Sequence, residues 1–477
     1  VAERFAAACR QGVLVAAGPG NNGGDGWVIA RALHAVGVPV WVAPAEAPGS
    51  ELCILQARLA REDGVREVSP DGPWPAAGVL VDALLGTGAS GAPRGAVGVL
   101  AQRLAELDLP LVAVDGPTGL DLRDGVNHGP LRARLTLTFG GYRRGHLLAR
   151  DDCGDLIALD IGFPPPVSGW PLLVTADDAA RQVHSLAANA HKGGRGRVVI
   201  VGGDAGMPGA ARLAARAAFG AGAGLVHLVA PAATVQALTG MEPDVQFAEQ
   251  NFAGELEGTV RTLLGRADAV VIGPGLGRSI DRGDFVLALL AATRAPVVLD
   301  ADGLVAVQGR LDELAAAGGG RVVLTPHLGE FRALWPALAT DASVDPWGAA
   351  AAAAGQLSAT VLLKGVPTVV ATPGRVLHTI AAGNPGLATG GSGDCLAGMI
   401  AALLGQGVGP AQAAVAGAQA LGEAADLAAR RQGARALRPM DVVAALPELW
   451  RLWGRRVDQG VTRRPPVLHE LPRPEAR

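Results

Sequence analysis

Apolar residues in this chain come in short runs, separated by Gly-rich turns and by longer stretches whose apolar positions repeat at helical spacing. Runs over 12–17, 38–43, 79–84, 109–114, 135–139 and 156–161 read as buried strands. Residues 18–24 read as a loop, and 25–36 as a helix stopped by Gly37 in the C-terminal capping position. A second series predicts strands over 197–201, 225–230, 269–272, 297–300, 321–325 and 360–363, then a hairpin of 366–371 and 375–379 around Pro373-Gly374. The end is helical, over 394–404, 410–430 and 439–453, with Pro410 and Pro439 suited to first helical positions. Strands alternating with helices imply parallel sheets covered on both faces, an α/β chain throughout.

The stretch FPPPVSGWP at 163–171 cannot continue a helix or a central strand. It predicts a boundary between a domain at 1–166 and another at 167–456. The remaining 457–477, rich in Pro, Arg and Glu towards its end, is expected to be a disordered tail. The halves show no short-period repeat and read as two different domains.

Composition narrows the function. Hydrophobic residues are 49% and charged residues 18% of 477, enough for large cores and the reverse of a disordered chain. The 68 Gly, twice the usual share of roughly 7%, belong to turns and ligand loops. A net charge of −3 without a basic patch argues against nucleic acid as partner. Apolar runs such as 399–404 are too short to span a membrane. Four widely spaced Cys without a Cys-x-x-Cys pair suit a reducing cytoplasm. No signal-peptide pattern opens the chain, and a Val first residue leaves open a missing N-terminal helical segment. Of 41 basic residues only Lys192 and Lys364 are lysines, and both sit in Gly-rich loops. A compact ammonium at a phosphate explains that placement better than chance.

Three Gly-rich loops follow predicted strands in the first half. Residues 18–26 read GPGNNGGDG, 81–88 read VDALLGTG and 115–121 read DGPTGLD. Ligands bind outside the carboxyl ends of strands in open α/β sheets, and helix N-termini suit phosphates. Asp82 and Asp115 should therefore neighbour the Asn21-Asn22 loop, where carboxylates with Asn and Thr oxygens suit a hard cation or acid–base chemistry. The plainer alternative for any one of these Asp residues, Asp25 included, is a helix cap.

These three motifs resemble the NAD(P)H-hydrate epimerase domain, a Rossmann-like α/β/α fold that interconverts the R and S forms of NAD(P)H hydrated at ring carbon 6. The resemblance implies that Asn21, Asn22, Gly23, Gly24 and Asp25 contact the dinucleotide. It implies a second ligand loop of Gly86, Thr87, Gly88, Ala89, Ser90, Gly91 and Ala92. Asp115 would bind substrate and serve as acid–base, and Asn22, Asp82 and Thr118 would ligate potassium. Thr118 stands where the family often has Ser.

In the second half GLATGGSGD at 386–394 opens a long apolar helix. Its N-terminal amides suit a transferring phosphoryl group, with Asp394 placed to accept a hydroxyl proton. A capping Asp on a core helix is the plain alternative. HKGG at 191–194, GAGL at 222–225, GPGLG at 273–277, DADGL at 300–304, TPHLGE at 325–330 and KG at 364–365 accompany it. His327, flanked by Pro326 and by Gly329-Glu330, reads as a ligand rather than a plain capped histidine.

This set resembles the ribokinase-like α/β/α fold of the ADP-dependent NAD(P)H-hydrate dehydratases, and with the first set covers about residues 12 to 450. The resemblance implies an ADP/AMP site at Lys364, Gly365, Val366, Pro367, Thr368 and Gly393. It implies hydrated-dinucleotide contacts from Ala210, Gly275, Gly277, His327 and Asp394, with Asp394 as base. The expected cofactors are ADP as phosphoryl donor, potassium in the first domain and Mg2+ in the second. The expected partners are these small molecules and further copies of the chain, with no membrane. A vitamin-precursor kinase with the second fold is a rival that leaves NNGGDG unexplained. A non-catalytic nucleotide-binding or docking protein is another, disfavoured by the intact GSGD and KG loops.

Overall fold

The computed structural model describes residues 1–163, 169–279, 281–458 and 468–474. Contacts divide the chain into two compact units, Val1–Pro165 with Arg464–Arg473, and Pro166–Arg463 with Pro474–Arg477. The predicted boundary stretch lies partly outside the described residues.

The first unit is built on strands β1 Val13–Ala17, β2 Val40–Pro44, β3 Arg66–Glu67, β4 Val79–Ala83, β5 Leu111–Val114, β6 Leu135–Phe139 and β7 Asp155–Leu159. The second contains β8 Leu172–Leu173, β9 Arg197–Val201, β10 Leu225–Ala230, β11 Gln246–Glu249, β12 Ala269–Ile272, β13 Val297–Leu299, β14 Val322–Leu324, β15 Thr360–Leu363, β16 Thr368–Ala371 and β17 His378–Ile380. A last strand, β18 Leu468–Leu471, returns to the first unit.

The first sheet runs β18-β7-β6-β5-β4-β1-β2-β3. It is parallel except where β18 pairs antiparallel with β7. Every residue of β1 and β4 is buried, because helices cover both faces. The chain order reverses at β1, which lies between β2 and β4, and this opens a crevice at their carboxyl ends.

The helix after β1 corrects the sequence reading. It spans Asn21–Ala35 with Gly20 as N-cap, so NNGGDG forms its first turns and Asp25 is not the cap. The glycines serve close approach instead of turning. A Cβ on Gly18 would lie 1.9 Å from the Leu84 carbonyl oxygen, and one on Gly23 1.8 Å from that of Gly18. Glycine there lets the helix N-terminus press directly on the strand ends.

The second sheet runs β11-β10-β9-β12-β13-β14-β15-β16-β17-β8. It is parallel from β11 to β15, and the predicted hairpin appears as antiparallel β15-β16-β17. The order reverses at β9, beside β12. The Ser392–Gly405 helix is buried against the Pro208–Gly220 helix, and a Cβ on Gly398 would stand 2.1 Å from the Ala214 carbonyl oxygen. β3, β8 and β11 were not anticipated. They are short or half-exposed, so hydrophobic patterning does not mark them.

The tail is a second correction, because Leu468–Leu471 forms a strand. Its alternate side chains face outward, which hides it in a charged segment, and side chains fasten it. Tyr142 Oη donates to the His469 carbonyl at 2.7 Å, and Arg4 pairs with Glu470. The other residues of 459–477, apart from 472–474, lie outside the described residues. All four cysteines are free and buried, and among the described residues no helix is long and apolar enough to cross a membrane.

Deleting residues 464–477 strips β7 of its outer partner strand and makes it the sheet edge. Calorimetry should show the first unit melting at least a few degrees lower, with the second unit's transition unmoved. Coincidence with the intact chain's thermogram would show that β18 adds no stability.

Candidate active sites

In the first unit, register places Ala16, Asp82 and Ala113 side by side on β1, β4 and β5. Asp82 is wholly buried. Its carboxylate accepts from the Thr118 backbone N–H at 2.7 Å, the Thr118 hydroxyl at 2.8 Å and the Leu84 N–H at 3.1 Å. Thr118 Oγ1 in turn accepts from Leu85 N–H at 3.1 Å. Burial pushes the Asp82 carboxyl up to about 6 against these hydrogen bonds. Asn22, in the helix's first turn, has both side-chain polar atoms buried without a hydrogen-bond partner.

Asp115 follows β5 with a left-handed φ of 64°, and its Oδ2 accepts from Thr87 N–H at 3.3 Å. A Cβ on Gly86 would fall 2.8 Å from that oxygen and 3.2 Å from Asn22 Cγ. Asn22, Gly86, Thr87 and Asp115 therefore meet at one point, with Asp82 and Thr118 beside it. Asp25 lies near enough to Asp115 to be raised first by its own burial and then by that charge. Asn21, Thr87, Gly88, Ser90 and Ala92 are exposed, while Gly23 and Gly24 are buried within the helix.

His146 was not anticipated. It is completely buried and its Nδ1 accepts from Arg143 N–H at 3.0 Å, which leaves Nε2 to donate to the Asp115 carbonyl at 2.6 Å. Burial first of all drives its pKa down to about 4, so the neutral ring braces the strained Asp115 backbone. A lone His amid Tyr, Arg and Gly at 140–146 gives no periodic signal.

In the second unit three strand ends and one helix start converge. Asp300, just past β13, is buried, and its Oδ1 accepts from the Thr325 hydroxyl at 2.8 Å and from Lys364 Nζ at 2.9 Å. Glu330 Oε2 lies 3.8 Å from the same ammonium. A Cβ on Gly393 would stand 3.2 Å from Lys364 Nζ and 3.6 Å from Asp300 Oδ2. Asp394, the third residue of the Ser392–Gly405 helix, is raised to about 7. Burial dominates that rise and the Asp300 charge adds to it, while Lys364 opposes both.

The GPGLG loop sits under the 204–210 segment. Gly275 would place a Cβ 3.3 Å from Ala210 Cβ, and Gly277 would place one 2.5 Å from Asp204 Oδ2. Both glycines are buried. The buried Arg282 ties this loop down, donating to the Leu276 carbonyl at 3.0 Å and to Asp204 Oδ2 at 2.6 Å. Val366 is 70% exposed beside Lys364, and Thr368 Oγ1 donates to the Gly365 carbonyl at 3.1 Å.

One reading is refined and one changes. His327 caps the Leu328–Leu334 helix, its Nδ1 accepting from Gly329 N–H at 3.0 Å and Glu330 N–H at 3.2 Å, and its ring is largely exposed with Nε2 3.6 Å from Glu330 Oε1. The cap uses Nδ1 alone, so it leaves room for a ligand on the exposed ring. Lys192 does not join Lys364. Its carbonyl abuts Gly224, which bonds to Gly196, and Gly196 packs on Gly405 at the far end of the Ser392–Gly405 helix. That end is about 20 Å from Ser392 at 1.5 Å rise per residue. The scarcity of lysine thus marks one site, not two.

These two sites on two α/β units define a chain with separate catalytic centres, one of them built like a phosphoryl-transfer site. Residues 198–448 match the NAD(P)H-hydrate dehydratase family, and residues 1–145 match the YjeF-related protein N-terminus. A bifunctional NAD(P)H-hydrate repair enzyme of Escherichia coli is 36% identical over 449 residues, covering 91% of this chain and 84% of that protein. One of Moorella thermoacetica is 36% identical over 472 residues, covering 92% and 87%. The chain belongs to the family of bifunctional NAD(P)H-hydrate repair enzymes, with an epimerase and a dehydratase domain. The structure of the Bacillus subtilis ADP/ATP-dependent NAD(P)H-hydrate dehydratase, co-crystallised with ATP and Mg2+, superposes with TM-score 0.52 at 26% identity over 60% of this chain and 100% of that one.

Gly86→Ala drives a methyl group into Asp115 and Asn22. Epimer exchange followed by chromatography should fall about a hundredfold, the scale of a displaced catalytic group. Dehydration in the same preparation should be unchanged, and normal exchange would remove Gly86 and Asp115 from the site.

Proposed function

We propose that the second unit dehydrates the S epimer of NAD(P)H hydrate by phosphorylation and elimination, with ADP as donor. The observation that carries this is the meeting of Asp394, Lys364 and a glycine-opened helix N-terminus around Gly393. Asp394 takes the proton from the carbon-6 hydroxyl. The oxygen attacks the terminal phosphorus of ADP, the bond to the bridging oxygen breaks and AMP leaves. The helix amides and Lys364 hold the phosphoryl oxygens. The ring nitrogen lone pair then expels phosphate from carbon 6, and loss of a proton from carbon 5 restores the double bond. Lys364 to Thr368 with Gly393 hold the nucleotide. Ala210, Gly275, Gly277 and His327 line the dinucleotide's path.

Nucleotide use is supported by the Bacillus subtilis relative, which is ADP/ATP-dependent. Mg2+ would come with the phosphates and neutralise their charge. Among the described residues no group of three or more His, Cys, Asp or Glu forms a cage for it.

In the first unit Asp115 moves the proton that interconverts the epimers, while Asn21 to Asp25 and Gly86 to Ala92 contact the dinucleotide. Potassium fits the donors present. Asn22 has an orphaned buried amide, and among the described residues Asp82 is a buried carboxylate with no ion-pair partner. Asn22, Asp82 and Thr118 would hold it as oxygen ligands, and it would supply fixed positive charge beside the substrate. Exposed Val28, Leu52, Ile54 and Leu55 support self-association of the chain, and four reduced, buried cysteines support a cytoplasmic location.

With its carboxyl near 7, Asp394 is an active base only when ionised. Dehydration, read as NADH absorbance, should plateau above pH ~7 and fall about tenfold per pH unit below it. Asp394→Asn should abolish NADH formation and spare epimerisation. Appreciable NADH from that variant would remove Asp394 from the role.

Asp82→Asn keeps the shape of the side chain but loses its charge. Epimer exchange should slow, and its difference between potassium and sodium buffers should vanish. A mutant that keeps the parent's potassium response would show Asp82 to be a structural clamp for Thr118.

A further inference from the structure

The segment that leads to Asp394 contains five glycines, at 383, 386, 390 and 391 in the loop and at 393 in the first turn of the helix. A backbone with so little intrinsic stiffness cannot by itself aim a carboxylate. Its exit is fixed by packing, since a Cβ on Gly391, at φ 99°, would be 2.4 Å from Leu213 Cδ1. Its entrance is fixed by one side chain from another element. Asp426, on the Pro410–Gln432 helix, accepts from Asn384 Nδ2 at 2.9 Å and from Gly383 N–H at 3.2 Å. Asn384 is itself 7% exposed, and its Oδ1 accepts from Gly386 N–H at 3.0 Å, starting the short Pro385–Leu387 turn. Both carboxylate oxygens of Asp426 and both polar atoms of Asn384 are thus spent on the first residues of the loop. Gly422 on the same helix packs on Ala382, where a Cβ would come within 2.6 Å of the backbone.

We propose that Asp426 and Asn384 are positioning residues for dehydration: together they set where the Gly-rich loop enters the site, and so the aim of Asp394 and of the helix amides. The inference rests on Asp394 being the base. Their hydrogen bonds go to each other and to Gly383 and Gly386, not to Asp300, Lys364 or Gly393, so their effect on the chemistry runs through the loop. Bond by bond, the pair is exchangeable. A carboxylate on the loop still accepts from Gly386 N–H and from an amide on the helix, and that amide's oxygen still accepts from Gly383 N–H.

The test uses the full-length chain with NADHX and ADP, reading kcat and KM for dehydration, epimer exchange as internal control, and thermal unfolding. Asp426→Asn sets two amides face to face, and Asn384→Asp sets two carboxylates. Each should lower dehydration kcat at least about tenfold, the effect of a small misplacement, with KM for ADP and epimer exchange little changed. The double variant Asn384→Asp/Asp426→Asn should restore kcat to within about threefold of the parent, leaving less than ~0.7 kcal/mol of the barrier unrecovered. Recovery of thermal stability without recovery of kcat would overturn the proposal, as would parental kcat in the folded single variants. Dehydration surviving Asp394→Asn would instead strike the base assignment on which the inference stands.

Discussion

A helix delivers its N-terminal amides to the end of a sheet only if nothing separates the two backbones. That constraint governs both units. At Gly18 and Gly23 in the first, and at Gly273 in the second, a single methyl group would lie within about 2 Å of a carbonyl oxygen at a strand end or helix start, and Gly398 admits the neighbouring Pro208–Gly220 helix in the same way. The helix Asn21–Ala35 consequently begins at β1, where the order of the first sheet reverses, and Ser392–Gly405 begins against the ends of β13 and β15 in the second. Each functional residue is then placed by the turn or strand terminus it occupies beside such a helix start.

The two sites treat buried negative charge differently. In the first, Asp82 has hydrogen bonds but no cation, and its carboxyl stands near 6. Its protonated form is therefore favoured by folding, and the stability it withholds grows as pH rises from about 4 through 6. A cation bound there, as proposed, would remove that penalty and so couple occupancy of the site to the firmness of the unit. In the second, Lys364 is shared by Asp300 and Glu330, and the carboxylate left over is Asp394. Surrounding acids raise it to about 7 while one ammonium keeps it from rising further. A carboxyl group that titrates near neutrality thus results from having more carboxylates than cations in a dry place.

Strand positions and the antiparallel hairpin of the second unit were legible because buried strands advertise themselves as apolar runs between glycines. The GSGD, KG and DADGL loops were legible because their small or charged residues interrupt that pattern. What stayed hidden depends on contacts between distant segments. His146 reveals nothing until the fold sets it under Asp115, and Asp426 sits in a helix whose surroundings are alanines. Propensity misjudged residues 21–24 as loop, since tertiary packing overrides the poor helix preference of Asn and Gly. It also misjudged 468–471, whose charged composition suits an edge strand. The cap made by His327 stayed hidden because a histidine cap and a ligating histidine share the same flanking residues.

The return of β18 to the first sheet has a consequence for biosynthesis. The chain emerges from the ribosome N-terminus first, so the other seven strands of that sheet exist while the whole second unit is still being made. Throughout that interval β7 presents unpaired backbone groups at an open edge, the condition that invites association with other nascent chains. Only residues translated after the second unit close it. The two catalytic units are thereby linked in time as well as in sequence, and an interrupted translation product carries an unfinished first enzyme beside its missing second.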